Sequence, residues 1–147
     1  MGNNFEFGQR SEERIATVHW NLELVLRQAL SLTPFDITVT CGRRGREDQE
    51  RAFADGNSKT QWPDSKHNVA DDQGNEIAGR SDAVDIAPWI NGTINWDDSG
   101  SFYVLGGIML ASAELMNVKI RFGGDWDGDG LTEDQGFKDL CHYEIVG

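Results

Sequence analysis

Between positions 15 and 30, apolar side chains fall at Ile15, Val18, Leu22, Val25, Leu26, Ala29 and Leu30. Steps of three and four residues put all seven on one side of a helix. No other feature limits the fold as much, because so long a stripe has to be covered by a second layer of structure. The spacing predicts a helix over residues 11–32. Ser11 can cap it, Glu12 and Glu13 in its first turn suit the helix dipole, and Pro34 lies beyond its end.

The covering layer reads as a sheet. Residues 36–41 are rich in β-branched side chains and are followed by the turn residues Gly42 and Gly45. A short helix is expected over 47–54, then a mostly polar loop over 55–80 broken by Gly56, Pro63 and Gly74. Residues 82–87 read as a buried strand, 90–94 as a hairpin about Asn91-Gly92, and 101–116 as a second long helix. Strands at 118–122 and 142–146 flank an acidic, glycine-rich loop. The expected fold is α+β: a small, mainly antiparallel sheet with helices packed on one side, forming one domain over residues 1–147 without repeat or linker.

Composition removes several functions. A formal net charge of −12 argues against a phosphate-gripping surface, so nucleic acid is not an expected partner. The longest apolar stretch, 99–116, is interrupted by Ser, Gly and Glu114, so no bilayer span and no stable membrane insertion are expected. The first residues lack a basic region followed by an apolar run, which is not the pattern of a secretory signal. Cys41 and Cys141 do not make a disulfide framework and read as buried thiols of a reducing compartment. A monomer, made and kept in the cytoplasm, is expected.

The chain has three histidines. His19 sits on the first helix beside Val18 with nothing to pair with. His67 and His142 have different surroundings, Ser65-Lys66-His67 and Asp139-Leu140-Cys141-His142-Tyr143-Glu144. Two imidazoles and a carboxylate suit a three-ligand zinc site with an open fourth position, the mark of a catalytic rather than a structural zinc. Asp139, three residues before His142 on a turn feeding a strand, can reach the same pocket and move a proton. Cys141 beside His142 invites a thiol-protease reading. Adjacent strand residues point to opposite faces, so Cys141 is expected to face the core.

Those runs, with Ser81-Asp82-Ala83-Val84-Asp85-Ile86-Ala87-Pro88 and Arg121-Phe122-Gly123-Gly124-Asp125-Trp126, resemble zinc peptidoglycan peptidases. That group holds D-alanyl-D-alanine carboxypeptidases and dipeptidases and phage L-alanyl-D-glutamate endopeptidases, the tailed-phage endolysins being most similar. The resemblance implies zinc bound by His67, Asp85 and His142, and Asp139 as the catalytic acid/base. It places Arg44 on substrate, binding it or polarising its carbonyl. It implies a substrate-side position for Gln49 and a cleft-shaping one for Trp126. The chain departs from the compact His-x-x-Gly-x-Ala-x-Asp pattern, because residues 68–80 intervene before Asp85. Asp71 and Asp72 lie nearer His67 and compete for the ligand position.

The implied activity is zinc-dependent cleavage of the L-Ala–D-Glu bond in peptidoglycan stem peptides, by an endolysin held in the host cytoplasm until a separate membrane-permeabilising protein releases it. A D-alanyl-D-alanine carboxypeptidase or dipeptidase, or a metal-stabilised wall-binding module without catalysis, are the alternatives. A second cation is expected in Asp125-Trp126-Asp127-Gly128-Asp129-Gly130, where alternate carboxylates precede a glycine as in the first half of a calcium loop. Glu133 or Asp134 would complete the shell. Position twelve is Gly136, where a helix-loop-helix site would carry glutamate.

Overall fold

The computed structural model describes residues 2–133 and 135–147. Among them the elements run α1 (Gln9–Ile15), α2 (Trp20–Leu32), β1 (Asp36–Cys41), α3 (Arg46–Ala54), β2 (Ala83–Trp89), α4 (Ser99–Leu115), β3 (Ile120–Phe122) and β4 (His142–Ile145). The four strands form one sheet in the order β1-β2-β4-β3, and every pair is antiparallel. The fold is α+β.

The apolar stripe of the sequence enters the core, but on two helices rather than one. The chain breaks at residues 16–19. There Ser81 N–H donates to the Thr17 carbonyl at 2.9 Å and His19 N–H to the Ser81 carbonyl at 2.8 Å. Arg80 adds a bond to the Val18 carbonyl at 2.9 Å. These long-range bonds take backbone groups that a continuous helix would use, and Thr17-Val18 is a pair of modest helix propensity. Ile15 and Val18 still reach the core on either side of the break. Ser11 is therefore not a cap: it is buried in α1, and its Oγ accepts the Val39 N–H at 3.0 Å. His19 is the residue that caps α2, its Nδ1 accepting the Asn21 N–H at 2.9 Å.

One face of the sheet carries Ile37 and Val39 of β1, Val84 and Ile86 of β2, Phe122 of β3 and Tyr143 of β4. α1, α2 and α4 close over it. Gly106 of α4 lets the helix rest on the Phe122 ring, where an added Cβ would lie 2.5 Å from a ring carbon. The hairpin expected at 90–94 is a turn only. Asn91 and Gly92 take φ of 55° and 75°, and Ile90 pairs with Thr93. The chain then enters α4 through Asp98, whose side chain caps it by accepting the Ser101 N–H at 3.3 Å. No helix among the described residues is long and apolar enough to cross a membrane.

Candidate active site

Strand alternation that sends Val84, Ile86 and Tyr143 into the core turns Asp85, His142 and Glu144 to the opposite face. Asp85 and His142 are direct partners in the β2–β4 pairing. On the other side of β2 the register shifts between Val39 and Cys41, so Cys41 rather than Thr40 stands opposite Asp85. Such a bulge re-aims the residues that follow it. Gly42 and Arg44 thereby meet the loop that carries His67: Arg44 N–H donates to the His67 carbonyl at 2.8 Å, and His67 Nδ1 donates to the Gly42 carbonyl at 2.7 Å.

Three donor atoms converge. His67 Nε2 lies 3.1 Å and His142 Nδ1 3.2 Å from the same Asp85 Oδ1. The remaining ring nitrogens are committed elsewhere, His67 Nδ1 to the Gly42 carbonyl and His142 Nε2 to Glu144 Oε1 at 2.8 Å. Both of those partners accept, so the outward nitrogens carry the protons. In the neutral rings, a lone pair on each inner nitrogen then faces the carboxylate. Three electron-rich atoms at this spacing repel unless a cation or two protons sit among them. Outer partners of this kind are what fix the tautomer of metal-binding histidines. The donor set, two nitrogens and one oxygen, fits a divalent metal of borderline character.

Without a metal the protons take that place. Burial opposes charging of His67, but Asp85 and Cys41 outweigh it and raise its pKa to about 10. Burial opposes charging of His142 too, yet Asp85 and Glu144 raise it to about 9. Asp85 is held well below the usual carboxylate range: burial works against this, and His142 and His67 overcome it.

A second donor set overlaps the first, because Cys41, His67 and Asp85 offer ligand atoms within 4.8 Å of one another. Cys41 Sγ lies 3.9 Å from His67 Nδ1, the nitrogen already bonded to Gly42, and 3.5 Å from the Arg44 guanidinium. A cation on the sulfur side would press against Arg44. In the His67, Asp85 and His142 set the imidazoles converge on Asp85 Oδ1, while Arg44 lies against the other oxygen, Oδ2. Asp71 is drawn away from this place: its carboxylate accepts from the Gln73 and Asn75 backbone in an exposed turn. Asp72, next to it, is exposed.

The donors open onto a cleft of about 640 Å³ that Arg44, Trp126 and Asp139 also line. Arg44 Nη2 is 3.9 Å from Asp85 Oδ2, and Nη1 donates to Gln49 Oε1 at 3.0 Å. Gln49 does not meet the expectation of substrate contact. It is fully buried, its Oε1 serving Arg44 and Asn68 and its Nε2 serving Ser58 and Thr60. With all four sites used it holds Arg44 from behind. Trp126 leans on His142 with ring centroids 5.6 Å apart and stacks on Phe137, forming a wall.

Cys141 also departs from expectation. It precedes β4 in a turn, outside the strand alternation, and its thiol donates to Asp139 Oδ1 at 3.2 Å rather than entering the core. Burial and the nearby Asp85 and Asp139 carboxylates push that thiol far above its usual pKa, so it remains a donor. The Asp139 backbone is fixed as well, its N–H donating to the Gly123 carbonyl at 2.8 Å while Gly123 N–H donates to the His142 carbonyl at 2.9 Å. Only glycine fits at 123, since an added Cβ would stand 2.1 Å from the Asp139 carbonyl oxygen.

The acidic loop begins at the end of β3. Asp125, Asp127 and Asp129 bring carboxylate oxygens within 4.8 Å of one another. Asp125 is 6% exposed, and its Oδ1 has no hydrogen-bond partner. Glu133 lies apart, its side chain 94% exposed and 4.0 Å from Lys138 Nζ. Asp134 lies outside the described residues. Sequence reasoning did not single out Glu144 or the Gly42 carbonyl, and it turned the Cys141 thiol toward the core rather than toward Asp139. Glu144 was open to discovery, because a residue two beyond His142 on a strand shares its face.

Residues 3–146 match the family described as phage L-alanyl-D-glutamate peptidase. The L-alanyl-D-glutamate peptidase of Escherichia phage T5 is 36% identical over 147 residues, covering 97% of this chain and 99% of that protein. The crystal structure of the Serratia marcescens L-Ala D-Glu endopeptidase ChiX superimposes with a TM-score of 0.71 at 22% identity, over 96% of this chain and 90% of that one. At that identity it speaks for the fold alone, an α+β scaffold. The first two likenesses, which span nearly the whole sequence, show that the chain belongs to the phage L-alanyl-D-glutamate peptidase family.

Proposed function

We propose that this protein is a zinc-dependent endopeptidase that hydrolyses the bond between L-alanine and D-glutamate in peptidoglycan stem peptides. One observation carries the metal reading: two imidazole nitrogens converge on one Asp85 oxygen while both outer nitrogens are already satisfied. Zinc at such a site supplies Lewis acidity and lowers the pKa of water toward about 7. His67, Asp85 and His142 would hold it.

The chain's own residues divide the remaining work. Arg44, steadied by Gln49, holds the scissile carbonyl or a substrate carboxylate. Trp126 walls the cleft beside His142. Asp139, kept in place by Cys141 and Gly123, takes a proton from water and returns it to the departing D-glutamate nitrogen. Hydroxyl is thereby added to the alanine carbonyl carbon and hydrogen to the amine, which balances hydrolysis of one amide.

Calcium in the loop of Asp125, Asp127 and Asp129, with Glu133 or Asp134 completing the shell, is the second part of the proposal. The unpartnered Asp125 oxygen supports it. The loop joins the site through the Gly123 contacts and the bond from Trp126 Nε1 to the Phe137 carbonyl at 2.6 Å. Ordering it would set Asp139 and His142, so calcium would switch activity. Residues 1–147 act as one catalytic domain and as a monomer. The enzyme accumulates in the host cytoplasm and reaches the wall when a separate membrane-permeabilising protein opens the way.

Digestion of purified peptidoglycan, with mass spectrometry of the new termini, tests the reading. Free D-glutamate amino termini are expected. Released D-alanine would replace it with the carboxypeptidase reading, and no product from zinc-loaded, folded protein would leave a binding module. Asp139→Ala should keep zinc and lose activity on the order of a hundredfold or more.

A further inference from the structure

Lysine is scarce in this acidic chain. Lys59, Lys66, Lys119 and Lys138 are all it has, and three of the four line the catalytic cleft. Several arginines elsewhere are neutralised at short range, as Arg27 is by Glu12 at 2.8 Å and Arg51 by Asp48 at 3.1 Å. The cleft lysines are held less closely, although Lys66 stands near enough to Glu144 to help lower that carboxyl's pKa, after the larger effect of His142. Among the described residues no carboxylate comes within 4.0 Å of Lys59 or Lys66, and Lys138 has only the exposed Glu133 at that limit.

Their placement is as uneven as their number. Lys66 and Lys138 stand one residue before His67 and Asp139, on two loops that flank the reacting centre. Lys59 lies 5.0 Å from the centroid of the Phe137 ring, which ties the loop of residues 56–60 to the wall that Trp126 builds. The acids of the cleft are mostly engaged: Asp85 and Glu144 bond the imidazoles, and Asp139 accepts from Cys141. Asp64 is the remaining acid of the lining. The rim is therefore a cationic patch on a protein of net charge −12, built to receive an anion.

The proposed substrate offers one. A D-glutamate residue has two carboxyl groups and extends the peptide through only one of them. The other is a free carboxylate unless it is amidated. We infer that Lys59, Lys66 and Lys138 form an anion-reading rim that selects stem peptides with a free D-glutamate carboxylate over those carrying the amide. This rests on the proposed bond specificity, and it makes the lysines specificity-determining rather than catalytic. Their exposure places each contact near the low end for a charge-assisted hydrogen bond, about tenfold in kcat/KM.

Two synthetic stem peptides, identical except for D-glutamate or its amide, test this with the zinc-loaded full chain. The acid should be cleaved with kcat/KM at least about tenfold higher, and the ratio should shrink as salt rises. Lys66→Met and Lys59→Met should each pull the ratio toward one, mainly through KM, whereas Lys66→Arg should keep it. Equal turnover of both peptides by the unsubstituted protein would overturn the rim, as would a ratio that neither Met variant moves. Failure to cleave either peptide would overturn the proposed function itself, and the rim with it.

Discussion

Two regions of this protein gather carboxylates, and they are held in opposite ways. Asp85 lies on the central strand, opposite His142 in the ladder, and both of its imidazole neighbours have outer partners. Asp125, Asp127 and Asp129 lie on a loop held by turns, and one buried oxygen of Asp125 has no partner. The first arrangement is built before any ion arrives. The second leaves that one oxygen without a hydrogen-bond donor. Strand pairing supplies geometry in advance, whereas a loop must obtain it from what it binds.

The sharpest test of that contrast removes a strand-borne donor. His142→Ala should abolish metal binding at this site and reduce peptidase activity to background, because only two of the three proposed ligands remain and Glu144 loses its imidazole partner. Metal content and peptidoglycan turnover, measured on folded protein, check it. Retention of stoichiometric metal with activity would show that the Cys41, His67 and Asp85 set is the true one.

A second test uses protons in place of metal. In the metal-free protein His67 and His142 have pKa values raised to about 10 and about 9, while an unfolded histidine titrates near about 6.5. A raised folded pKa gives stability that is complete below about pH 6.5 and is lost as pH climbs through 9 to 10. Asp85 acts at the other end, its depressed pKa giving stability present above about pH 4 and lost only in stronger acid. Chelator-treated protein should therefore melt at falling temperature from about pH 7 to 10, and metal should flatten the trend by replacing both protons. A metal-free melting temperature that rises over that range would break the account of the site.

The sequence exposed the parts of this molecule that depend on periodicity. The apolar stripe of Ile15 to Leu30 was legible because its phase survives the break between α1 and α2, although the break itself was not. It depends on Ser81 and Arg80, which lie more than sixty positions away in the chain and bond the backbone there. The matching contexts of His67, Asp85 and His142 single them out in the sequence, and the structure brings the three side chains together. The tautomers of the two imidazoles are not legible there, because they are set by a backbone carbonyl brought in by a bulge and by the Glu144 carboxylate. The resemblance puts Gln49 on the substrate side, but a motif match carries no direction, and only its burial shows that it stands behind Arg44. The strand rule that sends Cys141 to the core does not apply to it, because β4 begins only at His142.

The loop gives the smallest and most local test. Calcium should slow amide exchange in residues 125–131, by about tenfold at ten times its dissociation constant, and leave the β2 and β4 amides unchanged. The buried, unpartnered Oδ1 makes Asp125 the residue on which this depends. Asp125→Asn preserves the shape and removes the charge, so calcium should no longer slow exchange in that variant. Exchange that is the same with and without calcium in the unsubstituted protein would mean the three carboxylates are a solvated surface feature. Slowing that spread into β2 would instead mean that the strands are not preformed, and that the ion builds both regions together.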